Sequence, residues 1–195
     1  MADKRGRRGA PESLDALGLE LVSVTTGFLQ AMIAGQGRRG AEFDGIHLWD
    51  GWNAVDDPGI PFRLAQLRVM SELLQWLMYA IVGRADRRMV GHVGFHGAPG
   101  LHSLSDAVSN GLEIGYTVFP PFRRRGYAVA AARALIQWAH REHDVGVFVA
   151  SIGRENKASQ QVAAKLGFKF SRDFDPLDPD REDIYLMHLR ASDRN

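Results

Sequence analysis

The chain contains no cysteine. A disulfide framework, a thiolate zinc site and a cysteine nucleophile are therefore excluded, and a reducing compartment is expected. No apolar run approaches the ~18 residues of a membrane-spanning helix. The basic opening, Met1 to Arg8, is followed by no apolar stretch of the secretory kind. A solvated, disordered tail over residues 1–13 and a cytoplasmic location are the expectations, with no membrane partner. An excess of one charge is also lacking, since 24 Lys and Arg meet 23 Asp and Glu. That balance argues against a dedicated nucleic-acid surface. No internal repeat is present. What is there is ordinary for a globular protein: 195 residues, 45% hydrophobic and 24% charged. Such a length buries a real core and predicts one domain over residues 14–195.

Alternation in Leu19–Val24 predicts a strand, and a helix follows around Thr26 to Gly35. The segment from Gly37 to Pro61 reads as a long loop holding Phe43, Trp49 and Trp52. Its aromatics either pin it to the body or cover a substrate. Pro61 is placed to open a helix, and Leu64, Leu67, Met70, Leu74 and Leu77 then recur at helical spacing as one buried face. The chain turns extended from Trp76 to Gly83, makes a hairpin turn at Ala85–Arg88, and runs into a second strand over Met89–Phe95. His92 and His96 share a strand face without matched carboxylates in the sequence, so no metal site is expected.

The second half is more regular. A strand over Leu112–Phe119, a helix over Ala128–His140 and a strand over Val145–Ile152 are expected, then a helix over Asn156–Leu166. Asn156 is placed as its N-cap and Gly167 as its stop. A strand from Phe168, an acidic loop over Asp173–Asp183 and a last strand over Ile184–Leu189 complete the chain. The pattern predicts an α/β (α+β) fold, a mixed sheet with helices on its faces.

One stretch carries chemistry: Glu113-Ile-Gly-Tyr-Thr-Val-Phe-Pro-Pro-Phe-Arg-Arg-Arg-Gly-Tyr-Ala128. A strand enters a basic turn that opens a helix. The first helical amides lack internal partners, and the helix dipole adds positive charge there, which suits an anion such as phosphate. Gly126 lets a ligand approach the backbone, and Arg123, Arg124 and Arg125 surround the turn. A basic surface turn capping a helix is the other reading. The chain has neither the Gly-Lys-Ser/Thr of a nucleoside-triphosphate loop nor a Gly-x-Gly-x-x-Gly after its first strand.

The same residues resemble the GNAT (GCN5-related) N-acetyltransferases. Val118-Phe-Pro120 followed by Arg123-x-x-Gly126-x-Ala128 stands in the register of the family's motif A. Asn156-Lys-Ala-Ser159 and Lys165-Leu-Gly167-Phe168 resemble motif B. These elements, with Val90–Phe95 and Glu113–Tyr116, point to the RimJ/RimL-like branch. The resemblance runs from about Trp76 to Phe170.

It implies a mostly antiparallel sheet flanked by helices and splayed between the fourth and fifth strands, with acetyl-CoA in the opening and no metal. It implies that pantetheine meets Tyr116, Thr117 and Val118, that pyrophosphate rests on Arg123, Arg124, Arg125, Gly126, Tyr127 and Ala128, and that Asn156 and Ser159 face the thiol end. The reaction implied is direct attack of a primary amine on the thioester, the acceptor being a protein N-terminus or a small amine. The Val118 amide is the oxyanion donor in that scheme. Many members carry a Tyr acid where this chain has Ala163. Ser159 is the stand-in acid and Glu113 the base, with His96, Tyr116, Tyr185 and His188 behind them. The vacant Tyr position leaves a second reading, a non-catalytic acyl-CoA-binding or regulatory module, monomeric or homodimeric like the first.

Overall fold

The computed structural model describes residues 12–34, 45–57, 59–100, 110–172, 182–190 and 192. Residues 1–11 of the expected tail, Phe43 and most of the acidic loop lie outside the described residues, while Glu12 and Ser13 of that tail open a short helix. The helices are α1 (Glu12–Asp15), α2 (Thr26–Ile33), α3 (Gly59–Val69), α4 (Leu74–Leu77), α5 (Tyr127–His143) and α6 (Lys157–Leu166). The strands are β1 (Leu19–Ser23), β2 (Tyr79–Gly83), β3 (Met89–Phe95), β4 (Leu112–Val118), β5 (Val147–Gly153), β6 (Lys169–Arg172) and β7 (Glu182–His188). They form a mixed sheet in the order β1-β2-β3-β4-β5-β7-β6. The mixed-sheet expectation is met. Among the described residues no helix is long and apolar enough to cross a membrane. The chain divides into two compact units. One holds the described residues up to Gly94 together with Tyr116–Tyr127, and the other holds Phe95–Gly115 and the residues from Ala128 onward.

In the first unit β1 and β3 flank β2, both antiparallel to it. Side chains alternate between the two faces of a strand, yet Tyr79, Ala80, Ile81 and Val82 are all buried. Both faces of β2 are therefore covered, which explains its unbroken apolar run. The N-cap of α2 is Thr25, whose hydroxyl accepts from the Phe28 amide at 3.2 Å. That satisfies one of the helix's orphan donors. Phe28, Leu29 and Met32 of this helix are buried.

The single helix expected from Pro61 to Leu77 is instead interrupted. Its first segment, α3, ends at Val69, Met70 adopts φ −134°, and a 3-10 turn over Ser71–Leu73 leads into α4. The break resets the helical phase. Leu64, Leu67 and Leu77 are buried as expected, but beyond the break Leu73 and Trp76 also take inward positions, while Met70 is 36% exposed. The strand that follows begins at Tyr79 rather than Trp76.

In the second unit β5 pairs antiparallel with β7 from Val147↔His188 to Gly153↔Glu182, and β7 pairs with β6. The parallel ladder between β4 and β5 has two rungs, Leu112↔Phe148 and Glu113↔Val149. Helix α5 buries a face rich in alanine, with Leu135 and Ile136. Buried His140 lies between the Val145 carbonyl at 2.8 Å and the Arg190 carbonyl at 3.0 Å, fixing the end of α5 to the segment after β7. The expected cap and stop of α6 are present. Asn156 Oδ1 accepts from the Ser159 amide at 3.0 Å, and Gly167 takes φ +102° with its amide on the Ala163 and Ala164 carbonyls.

Close backbone approach leaves Gly91 and Gly94 intolerant of any side chain. A Cβ at Gly94 would stand 1.7 Å from the Leu77 carbonyl oxygen. Gly94→Ala should lower unfolding free energy by about 1–3 kcal/mol, the usual range for forced overpacking. Gly153→Ala, where a Cβ would meet nothing within 4 Å, should stay within about 1 kcal/mol of the parent. Urea titration of both variants checks the contrast.

Candidate functional site

In the first unit, β4 ends in the basic turn. Tyr116, Thr117 and Val118 are partly exposed, and Arg123, Arg124, Arg125 and Gly126 are exposed. Phe119 is buried, and its amide donates to the Val90 carbonyl of β3 at 2.9 Å. A 3-10 turn over Pro120–Phe122 follows, since two prolines cannot extend the ladder. Arg123 Nε then donates back to the Val118 carbonyl at 2.9 Å, holding the turn against the strand end.

Arg124 and Gly126 both take left-handed backbone, at φ +63° and +82°. A Cβ at Gly126 would meet no atom within 4 Å, so the backbone there faces open space. Left-handed residues in a short turn aim successive amides outward as an anion-binding concavity. The helix that begins at Tyr127 adds its own unpaired amides. A pyrophosphate fits this turn in charge, donor chemistry and room.

The same unit fixes the aromatic segment after residue 44. Trp52 stacks on Phe119 with ring centroids 4.8 Å apart, and Trp49 lies 5.8 Å from the same ring. Asp57 Oδ2 is 2.9 Å from His92 Nε2, on β3. These contacts pin residues 49–57 to Phe119, just after β4, and to His92 within β3, the first of the two readings of this segment. The hydrogen bond from His92 chiefly holds the Asp57 carboxyl below its ordinary value, against the opposing effect of burial. The His92 charge, the Gly59 amide and the Arg63 charge add to the lowering.

In the second unit, Glu113 is 4% exposed, at the last rung of the β4–β5 ladder. Ser151 Oγ of β5 donates to Glu113 Oε1 at 2.7 Å. His96 Nδ1 is 3.4 Å from the same oxygen, and the His96 amide donates to the Glu113 carbonyl at 2.8 Å. The expectation that the two histidines lack matched carboxylates is corrected here: the fold brings Asp57 to His92 and Glu113 to His96. Among the described residues no group of three or more His, Asp or Glu could hold a metal ion. Asn156 and Ser159 stand together at the start of α6 through the cap hydrogen bond. Ala163, the vacant tyrosine position, is 1% exposed and is the buried residue of α6. Ala128 is partly exposed in the first turn of α5. Tyr185 packs its ring 5.8 Å from Phe170, and both Tyr185 and His188 pair within the β5–β7 ladder.

The partners Ser151 and Asp57 went unnoticed in the sequence. Neither stands out in its local sequence, and the meaning of each comes from a strand or loop distant along the chain.

Comparison with known proteins defines the class. Residues 61–169, more than half of the chain, match the acetyltransferase (GNAT) domain family. The chain belongs to the GNAT acetyltransferase family. It is 34% identical over 90 residues to YjdG of Bacillus subtilis (strain 168), described as an uncharacterized N-acetyltransferase, covering 46% of this chain and 49% of that one. The chain thus spans about half the length of the curated relatives it matches. Among solved structures, RimL, a ribosomal L7/L12 alpha-N-protein acetyltransferase in complex with coenzyme A, is similar with a TM-score of 0.60 and 17% identity, covering 91% of this chain and 96% of that one. The microcin C7 self-immunity acetyltransferase MccE, in complex with acetyl-CoA and AMP, gives a TM-score of 0.61 and 16% identity, covering 96% and 98%. At these identities the structures show a shared fold.

The Asp57–His92 contact has a pH signature. A carboxyl held below its model value of 3.8 in the folded state contributes stability that is complete above that value. The contribution is lost as pH falls through the lower folded value. Asp57→Asn should therefore destabilise the protein at pH 7 by about 1 kcal/mol, a figure reduced for partial solvent screening. The difference from the parent should shrink below the unfolded carboxyl range. Urea midpoints compared at neutral and strongly acid pH measure it.

Proposed function

We propose that the protein is an N-acetyltransferase that moves the acetyl group of acetyl-CoA to a primary amine by direct attack. The observation that carries this reading is the exposed turn before α5. There Arg124 and Gly126 are left-handed, three arginines are exposed and the backbone at Gly126 faces open space. Family membership supplies the prior, and the solved relatives holding coenzyme A or acetyl-CoA support the same donor.

In this reading Arg123 to Ala128 hold the pyrophosphate, and the backbone of Tyr116, Thr117 and Val118 receives the pantetheine arm. Acetyl-CoA supplies an activated thioester carbonyl. The Val118 amide donates to the oxyanion that develops there, which lowers the barrier because the donor is already oriented. Glu113 supplies basicity for the amine proton. Asn156 orders the first turn of α6, and Ser159 meets the departing sulfur. The acceptor class is an amine, with a peptide N-terminus favoured by the similarity to RimL and a small amine the other candidate.

Two substitutions separate binding from chemistry. Gly126→Asp should lower CoA affinity at least about tenfold, since one unfavourable charge contact of 1.4 kcal/mol already corresponds to that factor. The Asp side chain tolerates left-handed backbone better than most, so folding should persist. Calorimetry on the folded variant checks this, and unchanged affinity would remove the phosphate assignment. Ser159→Ala should lower kcat by ~10–100-fold, at or below the usual worth of general acid catalysis because water can replace part of the role. Its CoA affinity should stay near that of the parent. Acetyl-CoA binding with no turnover on any amine would favour the non-catalytic reading instead.

A further inference from the structure

We infer that the acceptor docks at the Asp57–His92 pair of the first unit, where His92 takes a proton from its ammonium, and that this subsite favours an amine borne on an apolar stem. The inference rests on the acetyl-transfer reading and names the acceptor class within it.

The pair is firmly placed. Asp57 Oδ2 is 2.9 Å from His92 Nε2, and the two side chains are 21% and 15% exposed. The other carboxylate oxygen, Oδ1, accepts from the Gly59 amide at 3.2 Å. The Asp57 carbonyl accepts from the Ile60 amide at 2.9 Å, and the Asp57 amide donates to the Ala54 carbonyl at 3.4 Å. Asp57 is thus held between the 3-10 turn over Ala54–Asp56 and the start of α3. A carboxylate on Nε2 keeps the ring proton on that nitrogen and leaves the lone pair on Nδ1. Among the described residues, Asp57 is the one hydrogen-bond partner of the His92 ring.

The surroundings belong to the same unit. The His92 ring stands edge-on to Phe119, with centroids 6.4 Å apart, and Phe119 directly follows Val118. A Cβ at Gly91, the residue before His92, would stand 2.9 Å from Val118 Cα, so β3 lies directly against the end of β4. Val118 carries the amide that the proposed mechanism offers to the oxyanion. The pair therefore stands beside the strand end proposed to receive the thioester carbonyl. Trp52 is partly exposed, and its ring centroid lies 6.2 Å from that of His92. The stem of an amine docked at His92 meets that indole, which rewards apolar groups.

Transfer that starts from an ammonium sheds two protons. For the first, an N–H bond of the ammonium breaks, the proton passes to His92 Nδ1, and the electron pair stays on nitrogen as the nucleophile's lone pair. Asp57 stabilises the imidazolium, which then gives its proton to solvent. The amine nitrogen bonds to the thioester carbon, the carbon–sulfur bond breaks, and the second proton balances the departing thiolate. One proton is released overall, and no oxidant or further reactant is needed. Asp57 is the positioning residue of this step.

The test follows thiol release from acetyl-CoA with leucyl-alanine amide and with glycyl-alanine amide, alongside acetyl-CoA affinity by calorimetry. An α-amine titrates near pH 8, so about one tenth of it is already neutral at pH 7 and most of it at pH 9. His92→Gln keeps an amide donor toward Asp57 and removes the titrating nitrogen. It should lower kcat/KM for the amine about tenfold at pH 7 and stay within about threefold of the parent at pH 9, with acetyl-CoA affinity within about threefold at both. Asp57→Asn, whose amide donates to Nε2 and moves the ring proton to Nδ1, should show the same loss and the same recovery. It decides if His92→Gln does not fold. The parent should use the leucyl amide about tenfold better than the glycyl amide, the low end of what a filled apolar contact is worth in discrimination.

Parent-like rates in the variants at pH 7 overturn the inference. A loss as deep at pH 9 as at pH 7 also overturns it, since a structural role alone would give that result. So does a glycyl amide used as well as the leucyl amide, or a parent protein that binds acetyl-CoA but releases no thiol to either. A parent protein that does not bind acetyl-CoA instead overturns the acetyl-transfer reading on which the inference stands.

Discussion

Parallel pairing between β4 and β5 stops after Glu113↔Val149, and a cluster of polar side chains in the second unit gathers at that stop. A parallel ladder that continued would consume the backbone of Ile114 and Gly115. Because it ends, the last rung becomes a place where side chains link the two strands: Ser151 reaches Glu113, and Glu113 faces His96. A buried carboxylate is costly unless its oxygens receive hydrogens. The Ser151 hydroxyl, donating at 2.7 Å, lessens that cost.

The basic turn answers a different constraint. A strand ending in two prolines cannot extend its ladder, so the chain must leave the sheet at once. It does so through a 3-10 turn and two left-handed residues, which delivers it to the start of a 17-residue helix. The conformation that solves the steric problem also turns amides outward. In the proposed reading, anion binding is a by-product of how this strand is connected to this helix, and the three exposed arginines add charge there.

Local chemistry was readable in the sequence. The Asn156 cap, the Gly167 stop, the long alanine-rich helix and the strand-to-turn transition at Pro120 each depend on residues within a few positions of one another. The GNAT family was legible for the same reason, since its motifs are short and their spacing is set by the strand–turn–helix geometry. The break at Met70 was not legible, because the apolar residues on either side continue at near-helical spacing and burial alone chooses Leu73 over Leu74. Nor were Asp57, the partner of His92, and Ser151, the partner of Glu113. Asp57 lies 35 residues from His92, and Ser151 lies 38 from Glu113, separations that only the tertiary fold closes. Periodicity identifies which face a side chain takes, and it is silent on what stands opposite.

The most direct measurement of the central claim is transfer itself. The protein would be incubated with acetyl-CoA carrying a labelled acetyl group and a panel of primary amines spanning peptide N-termini, polyamines, amino acids and aminoglycosides. Mass spectrometry would follow the amines, and a thiol assay would follow free CoA. The account predicts labelled acetyl on an amine nitrogen, matched mole for mole by released thiol. Tight binding of acetyl-CoA with neither label transfer nor thiol release across the panel would contradict it, and would make this GNAT chain a binding module rather than a transferase.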